Sequence, residues 1–194
     1  MMGAVSTERL FVALVLPERV RRAARQWCRA TRVGERGWRE VSEQNLHLTL
    51  RFLGESPADL ADSLGRELEQ ALAGLQAPRL VLDGWGSFGS PARPRVIWIG
   101  VGGEIDRLQR LAARVETCVR RRGLPPETRP LRAHLTVARP RRGERQSLPP
   151  AGCPAPAAET FAAAQVALFA SQLRPGGPIY TRRHGIRLEV VDDQ

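Results

Sequence analysis

The segments QNLHLTLRFLGE (44–55) and RPLRAHLTVARPR (129–141) decide the fold of this 194-residue chain, because they contain the same pattern. HLTL in the first segment recurs as HLTV in the second, 87 residues later, and the two copies hold two of the three histidines of the chain. In both copies apolar residues alternate with polar ones, which is the period of a β-strand with one buried face. The repeat therefore predicts two similar halves, each built around one such strand.

The alternation also predicts which side chains lie together. His47 and Thr49 share one face of the first strand, and His134 and Thr136 share one face of the second. Residues two positions apart on a strand are about 7 Å apart along the chain and point the same way. Each copy thus offers one imidazole and one hydroxyl to the same pocket, and a pocket between the two halves would receive both pairs.

The rest of the chain alternates between strand and helix patterns. The strands come in pairs and the last pair is a hairpin, so we predict an α+β fold with mostly antiparallel sheets rather than a doubly wound parallel sheet. We expect one bilobal domain over residues 1–194, with two pseudo-symmetric lobes and a central cleft. The predicted strands are 10–16, 38–41, 45–54, 80–88, 95–101, 131–138, 163–173 and 180–190; the predicted helices are 18–32, 58–75 and 104–123, the last ended by Gly123; and 139–156 is a predicted surface loop.

The chain is strongly basic, with a net charge of +10 and a sequence pI of about 11.3. Such a charge attracts polyanions, and nucleic acid is the first class of partner to consider. All of the basic residues are arginines and no lysine occurs, a composition that a GC-rich genome also produces without selection for binding. The charge by itself therefore leaves both explanations open.

Cysteine content and hydropathy bear on the cell compartment. Three cysteines without CxxC or Cys/His spacing favour neither a disulfide framework nor a zinc site, so a reducing cytoplasm fits best. The first apolar run, 10–16, is too short for a signal sequence, and no stretch of about 18 apolar residues predicts a membrane span. We expect a soluble protein without membrane association, and, since no oligomerisation signal is present, a monomer.

Two imidazoles and two hydroxyls around one tetrahedral anion suit the opening of a cyclic phosphodiester by water. One histidine in the neutral form can deprotonate the water, and one in the charged form can protonate the departing ribose oxygen. Threonine hydroxyls can donate to the non-bridging phosphate oxygens. This scheme requires no metal and no other cofactor. No phosphate-binding loop, HExxH motif or GxSxG motif points to different chemistry.

Several spaced motifs resemble one known family. HLTL and HLTV, together with RLFVALVLP (9–17), QNLHLTLRFLGE, FGSPARPRVIWIGV (88–101) and RPLRAHLTVARPR, are similar to the two-histidine (2H) phosphoesterase superfamily. Within it the resemblance is to the RNA 2′,3′-cyclic phosphodiesterases, also called LigT-like or 2′-5′ RNA ligase family proteins. The resemblance runs from about Arg9 to about Leu188.

The resemblance implies a bilobal α+β fold and hydrolysis of RNA 2′,3′-cyclic phosphate ends to 2′-phosphomonoesters. It also implies roles for the two histidines, which the symmetry of the sequence does not distinguish. In the family the histidine of the first motif donates a proton and that of the second accepts one. Carried over, His47 is the proton donor and His134 the proton acceptor, while Thr49 and Thr136 bind phosphate.

Other residues are candidates for contact with the substrate. Arg132 and Arg139 flank the second motif and can reach a phosphate. Tyr180, after a Pro-Gly-Gly-Pro turn, is placed to border the cleft and stack on a base. Phe52 has the opposite strand parity to Thr49, so we expect it to pack inward. His184 lacks the HxT context and is interpreted as an exposed strand residue.

Three alternatives remain at this point. The first is an RNA-end binding protein without turnover, against which the presence of both histidines and both threonines argues. A 2′-5′ RNA ligase is the reverse of a related cleavage and is treated as a side activity, since no nucleotide-binding loop or nucleotidyl-accepting lysine occurs. The third alternative is a phosphodiesterase acting on another cyclic nucleotide or on 2′-5′ linked oligonucleotides.

Overall fold

The computed structural model of the protein describes residues 6–90, 92–150 and 152–190. This part of the chain contains nine strands and three α-helices, and two short 3₁₀ turns (Val33–Glu35 and Glu43–Asn45) flank the second strand. In chain order the elements are β1 (Thr7–Val15), α1 (Glu18–Ala30), β2 (Trp38–Glu40), β3 (His47–Pro57), α2 (Leu60–Leu72), β4 (Arg79–Ser90), β5 (Arg93–Gly103), α3 (Ile105–Arg121), β6 (His134–Pro140), β7 (Thr160–Ala162), β8 (Gln165–Gln172) and β9 (Ile179–Arg187).

The strands form one sheet in the order β7-β4-β5-β6-β3-β1-β8-β9, with β2 paired to β6. All neighbouring strands run antiparallel. At the centre, β3 meets β6 through the pair Leu48 and Leu135. The same number of strands lies on each side of this centre. Beyond β3 come β1, β8 and β9, and beyond β6 come β5, β4 and β7. The predicted α+β fold with two pseudo-symmetric, antiparallel lobes is confirmed, and the lobes share one continuous sheet.

One hydrophobic core joins the helices to the sheet. Leu48 and Leu135 are fully buried in it, as the alternation of the two motifs predicts. Each helix contributes one apolar stripe to the same core, which is typical of helices that pack on a sheet. Among the described residues, the helices do not combine the length and the hydrophobicity that a membrane span requires. The helix residues in the core are Val20, Ala23, Ala24, Trp27 and Cys28 of α1, Ala61, Leu64, Leu68 and Leu72 of α2, and Leu108, Leu111, Val115, Cys118 and Val119 of α3.

Local signals set the ends of these elements. Pro17 follows the apolar run of β1, and its carbonyl accepts the first backbone hydrogen bonds of α1, from Val20 and Arg21. Gly123 follows α3 with a φ of 77°, a left-handed conformation that costs little only for glycine. The predicted helix ends are thereby confirmed to within a few residues.

The ends of the predicted elements differ from the observed ends by up to three residues, and two differences have an identifiable structural cause. Strand β6 continues to Pro140 because its last residues pair with β2, so the predicted loop starts two residues later than Arg139. Strand β7 was not predicted. It has only three residues in an Ala- and Pro-rich segment, and it is a strand because it adds to the edge of β4.

Candidate active site

The two HxT motifs lie side by side at the centre of the sheet. Since Leu48 pairs with Leu135 in antiparallel register, the count along the strands places His47 opposite Thr136 and Thr49 opposite His134. Each imidazole therefore faces the threonine of the other motif across the junction of the two lobes. All four side chains line a single cavity of about 1280 Å³.

Both histidine rings are oriented by the same contact. Nδ1 of His47 lies 2.7 Å from the carbonyl oxygen of Asn45, and Nδ1 of His134 lies 2.7 Å from the carbonyl oxygen of Arg132. Because a carbonyl only accepts, each Nδ1 carries the hydrogen and donates it. In the neutral ring Nε2 is then the unprotonated nitrogen, ready to accept a proton.

The surroundings lower the pKa of both imidazoles. Burial lowers the pKa of His47 from 6.5 to about 4, the charges of Arg139 and His134 add to this, and the hydrogen bond to Asn45 opposes it. Burial also lowers the pKa of His134, helped by the charges of Arg139 and Arg132. The free site therefore holds two neutral imidazoles at neutral pH.

Thr49 and Thr136 are half-buried, and each carries a side-chain hydroxyl. Within residues 6–90, 92–150 and 152–190, neither has a hydrogen-bond partner in the protein. A hydroxyl that faces a cavity without a hydrogen-bond partner in the protein is available to a ligand. It can donate a hydrogen bond to the ligand or accept one from it.

Each motif contains a β-bulge at its fourth residue. On β3, Thr49 pairs with Ala13 and Arg51 with Val12, so Leu50 is the extra residue. On β6, Thr136 pairs with Trp98 and Ala138 with Ile97, so Val137 is the extra residue. A bulge shifts the alternation of side chains by one position.

The bulges decide the positions of two side chains. Phe52 and Arg139 both lie five residues after the histidine of their motif, and both line the cavity with that histidine. The prediction that Phe52 packs inward is wrong: its side chain is 52% exposed. Without the extra residue at Leu50, Phe52 would share the core face with Leu48.

The other predicted substrate contacts, Arg132, Arg139 and Tyr180, all line the cavity. Arg139 is exposed, and among the described residues no carboxylate or hydrogen-bond acceptor contacts its guanidinium. The Arg132 guanidinium lies 5.7 Å from the centre of the Phe88 ring. The Tyr180 ring stands edge-on to His47 with the ring centres 5.4 Å apart, and burial raises the pKa of its phenol.

The position of Phe88 beside His134 was not predicted from the sequence, which gives Phe88 only as one of several aromatic residues able to stack on a base. Its ring lies 4.9 Å from that of His134 at an angle of 85°, and 5.5 Å from that of Trp98. Phe88 reaches the cavity from β4, two strands away from His134, and no local pattern indicates that contact. Asn45 was also missed: besides holding His47 through its carbonyl, its side-chain amide donates to the carbonyl of Pro178 at 2.7 Å.

His184 lies outside the cavity. Its side chain is 25% exposed, and its Nε2 is 3.2 Å from a carboxylate oxygen of Glu69 on α2. His184 is therefore less exposed than the sequence predicts, because β9 packs against α2 at this point. No group of three or more His, Cys, Asp or Glu residues in the described ranges is placed to hold a metal ion.

Comparison with known proteins identifies similar chains. Residues 14–98 and 99–180 each match the family described as LigT like phosphoesterase, so each half matches separately. The chain is 40% identical over 184 residues to the RNA 2′,3′-cyclic phosphodiesterase of Thermus thermophilus, covering 89% of this chain and 86% of that protein. It is 33% identical over 177 residues to the protein of the same name from Escherichia coli, covering 90% and 93%.

The fold is similar to a solved structure as well. The crystal structure of E. coli LigT complexed with 3′-AMP superimposes with a TM-score of 0.78 at 29% sequence identity. The superposition covers 94% of this chain and 99% of that one.

Proposed function

The chain belongs to the family of LigT-like phosphoesterases, and from this premise we propose that it hydrolyses 2′,3′-cyclic phosphate ends of RNA to 2′-phosphomonoesters. The observation that carries the proposal is the meeting of the two His/Thr pairs in one cavity, each imidazole held by an equivalent Nδ1 contact. Two relatives of the chain carry the name of this activity.

The proposed reaction is an in-line displacement. The Nε2 atom of His134 takes a proton from water, and the resulting hydroxide bonds to phosphorus. The bond from phosphorus to O3′ breaks, and O3′ takes a proton from Nε2 of His47. The products are a 2′-phosphomonoester and a free 3′-hydroxyl, and exchange with solvent restores both histidines. Acid and base are assigned here as in the family.

His47 must carry a proton when the substrate is bound, although burial lowers its pKa to about 4 in the free site. The phosphodiester anion supplies the opposing charge, because a neighbouring negative charge favours the protonated imidazole. The hydroxyls of Thr49 and Thr136 and the guanidinium of Arg139 donate to its non-bridging oxygens. Every proton in this mechanism moves through a side chain or water, and no metal takes part.

We further propose that the protein works as a single bilobal domain and as a monomer in the cytoplasm. All of the proposed catalytic and phosphate-binding groups come from one chain, and one sheet runs through both lobes. The three cysteines are free, which suits a reducing compartment. Fragments of tRNA are one source of the cyclic ends on which it would act.

The test is turnover of a short RNA that ends in a 2′,3′-cyclic phosphate, with EDTA present and with separation of 2′- from 3′-phosphate products. We expect the 2′-phosphate. His47→Ala and His134→Ala should each lower kcat by at least about a hundredfold, the usual contribution of a general acid or base. His184→Ala is the matched control, since this third histidine lies outside the cavity, and it should retain activity.

Three results would contradict the proposal: retained turnover in either of the first two variants, a 3′-phosphate product, or loss of the reaction in EDTA. RNA binding without any turnover by the wild-type protein would favour the RNA-end binding alternative.

A further inference from the structure

A group of exposed arginines lies beside the cavity, on β2, at the end of β6 and in the turn 141–147 that follows β6. These arginines are Arg39, Arg139, Arg142 and Arg145. Exposed arginines are common on protein surfaces, so exposure alone indicates no function. Among the described residues, however, none of these four guanidinium groups has a carboxylate partner, and their charge is available to an anion.

The acidic residues of this region are already paired. β2 and the turn 141–147 contain one glutamate each, Glu40 and Glu144. A carboxylate oxygen of Glu40 lies 2.7 Å from the guanidinium of Arg25 on α1, and one of Glu144 lies 3.7 Å from that of Arg141. The region therefore keeps a positive charge that its own glutamates do not neutralise.

Strand pairing brings two of the arginines together. Arg39 is the register partner of Arg139 in the antiparallel pair of β2 and β6, and both residues line the cavity. Side chains of directly opposite residues lie on the same side of a sheet, and like charges in that position repel each other. Arg39 is also held in place, because its guanidinium donates to the carbonyl oxygen of Pro175 at 3.1 Å. An anion that contacts both guanidinium groups would offset this repulsion.

The turn that carries Arg142 and Arg145 is fixed against the start of β2. The amide of Arg141 donates to the carbonyl oxygen of Gly37 at 2.9 Å, and the side-chain amide of Gln146 donates to that of Arg141 at 3.1 Å. Gly37 has a φ of 78°, and the carbonyl of Arg145 lies where a Cβ atom of residue 37 would be. The backbone of the turn is thus set before a ligand binds, which lowers the ordering cost of binding. Arg142 and Arg145 extend the positive surface beyond the cavity lining.

We propose that Arg39, Arg142 and Arg145 bind the RNA backbone upstream of the cyclic end. The inference rests on the proposed function, which places the cyclic phosphate between the two histidines and beside Arg139. The next phosphates of the strand then leave the cavity past Arg39 and reach the turn 141–147. Because the surface is continuous with the cavity through Arg39, it suits the same RNA strand better than an unrelated acidic partner.

Contacts of this kind are made to phosphates and not to bases. Arginine binds a phosphate through charge-assisted hydrogen bonds, which position the strand and carry no information about its sequence. The surface therefore binds RNA of any sequence. A longer RNA is bound more tightly than a cyclic mononucleotide, although both present the same reactive end.

The test compares two substrates with the same reactive end: an oligoadenylate RNA that ends in a 2′,3′-cyclic phosphate, and adenosine 2′,3′-cyclic phosphate, which has no upstream phosphate. Arg142→Gln/Arg145→Gln should raise KM for the oligoadenylate by about fivefold to tenfold at low salt and leave its kcat unchanged, because uniform binding is lost. Both constants for the mononucleotide should stay as in the wild type, since the two arginines lie outside the cavity lining.

Binding of the oligoadenylate to the inactive His134→Ala protein gives a second readout. Two lost phosphate contacts lower the magnitude of the salt slope by about 1.4, so the affinity ratio of parent to variant should shrink about sevenfold between about 50 and 200 mM salt. Arg29→Gln/Arg66→Gln is the control, because it removes the same charge from exposed positions outside the cavity lining. It should change neither readout.

Three results would overturn the inference. An equal effect of the control variant would assign the attraction to the overall charge, and an equal rise of KM for the mononucleotide would mean that the turn acts through the cavity. No change with either substrate would mean that the RNA takes another path. If the wild-type enzyme turned over neither substrate, the proposed function itself would fail, and the binding measurement would still decide whether this surface binds RNA.

Discussion

His47 and His134 occupy equivalent positions but sit in unequal surroundings. Both donate Nδ1–H to the carbonyl two residues earlier, at the same distance of 2.7 Å. Burial nevertheless lowers the pKa of His47 to about 4, and that histidine also contacts the rings of Phe11 and Tyr180. A fold with internal symmetry can in this way give two identical side chains different proton affinities.

The burial of His47 predicts how stability depends on pH. The unfolded chain binds a proton at this residue below pH 6.5, whereas the folded protein binds it only near pH 4. The stability that the neutral ring contributes is therefore present above pH 6.5 and is lost as the pH falls from 6.5 to about 4. The loss is at most about 3 kcal/mol.

His47→Gln should remove most of this dependence. The measurement is the free energy of unfolding from urea titrations at several pH values between 4 and 7. We expect the variant to lose less stability than the wild type over this range. Equal slopes for both proteins would show that His47 is not the residue that titrates.

At the scale of elements, the contact between α2 and β9 depends on a glycine. A Cβ atom added at Gly65 would lie 2.8 Å from Cγ of His184 and 2.9 Å from its Cβ and Nδ1. The Cβ atom of His184 is fixed by the backbone of β9, so it cannot move aside without moving the strand. Gly65 is thus the residue that lets His184 lie against the helix and reach Glu69.

Gly65→Ala should destabilise the protein, although alanine is the better helix former by about 1 kcal/mol. Overpacking typically costs about 1–3 kcal/mol, which outweighs that gain. In the double variant Gly65→Ala/His184→Gly no side-chain atom of residue 184 is left to meet the added methyl group. The double variant should therefore lose less unfolding free energy than the two single variants lose together. Additive effects in this urea-titration cycle would argue against a direct contact.

The central strands show what the sequence can and cannot predict. The alternation in HLTL and HLTV correctly placed Leu48 and Leu135 in the core and the histidines and threonines in the cavity, because a strand repeats every two residues. The bulge at Leu50 is not visible in the sequence, since a leucine there fits an uninterrupted strand equally well. The position of Phe52 was therefore predicted wrongly.

Contacts between distant segments form the second class of feature that the sequence could not supply. Phe88 reaches His134 only because β4 pairs with β5 and β5 with β6. The edge strand β7 likewise exists only through its pairing with β4. Neither contact has a local pattern, so each becomes visible only when the sheet is assembled.

At the scale of the whole molecule, the net charge of +10 still has two explanations, selection for nucleic acid and genomic composition. The cavity favours the first. Its lining contains six arginines and three glutamates, so the charge around it is also positive. Four of these arginines, Arg39, Arg132, Arg139 and Arg174, have no carboxylate partner within the described residues, and Arg132 and Arg139 flank His134 in sequence.

The salt dependence of RNA binding tests whether that charge acts on the substrate. With single-stranded RNA, the logarithm of the binding constant should fall linearly with the logarithm of salt concentration, by about 0.7 for each phosphate that the protein neutralises. We expect the variant Arg132→Gln/Arg139→Gln, made in the inactive His134→Ala protein, to reduce the magnitude of this slope by about 1.4, which is about 0.7 for each arginine removed. Arg29→Gln/Arg66→Gln in the same background is the control, because both arginines are exposed and lie outside the cavity lining. Since the two double variants lower the net charge equally, a larger effect in the first assigns the attraction to the cavity. Equal slopes would assign it to the overall charge, and the arginine-rich composition would then need no explanation beyond the genome.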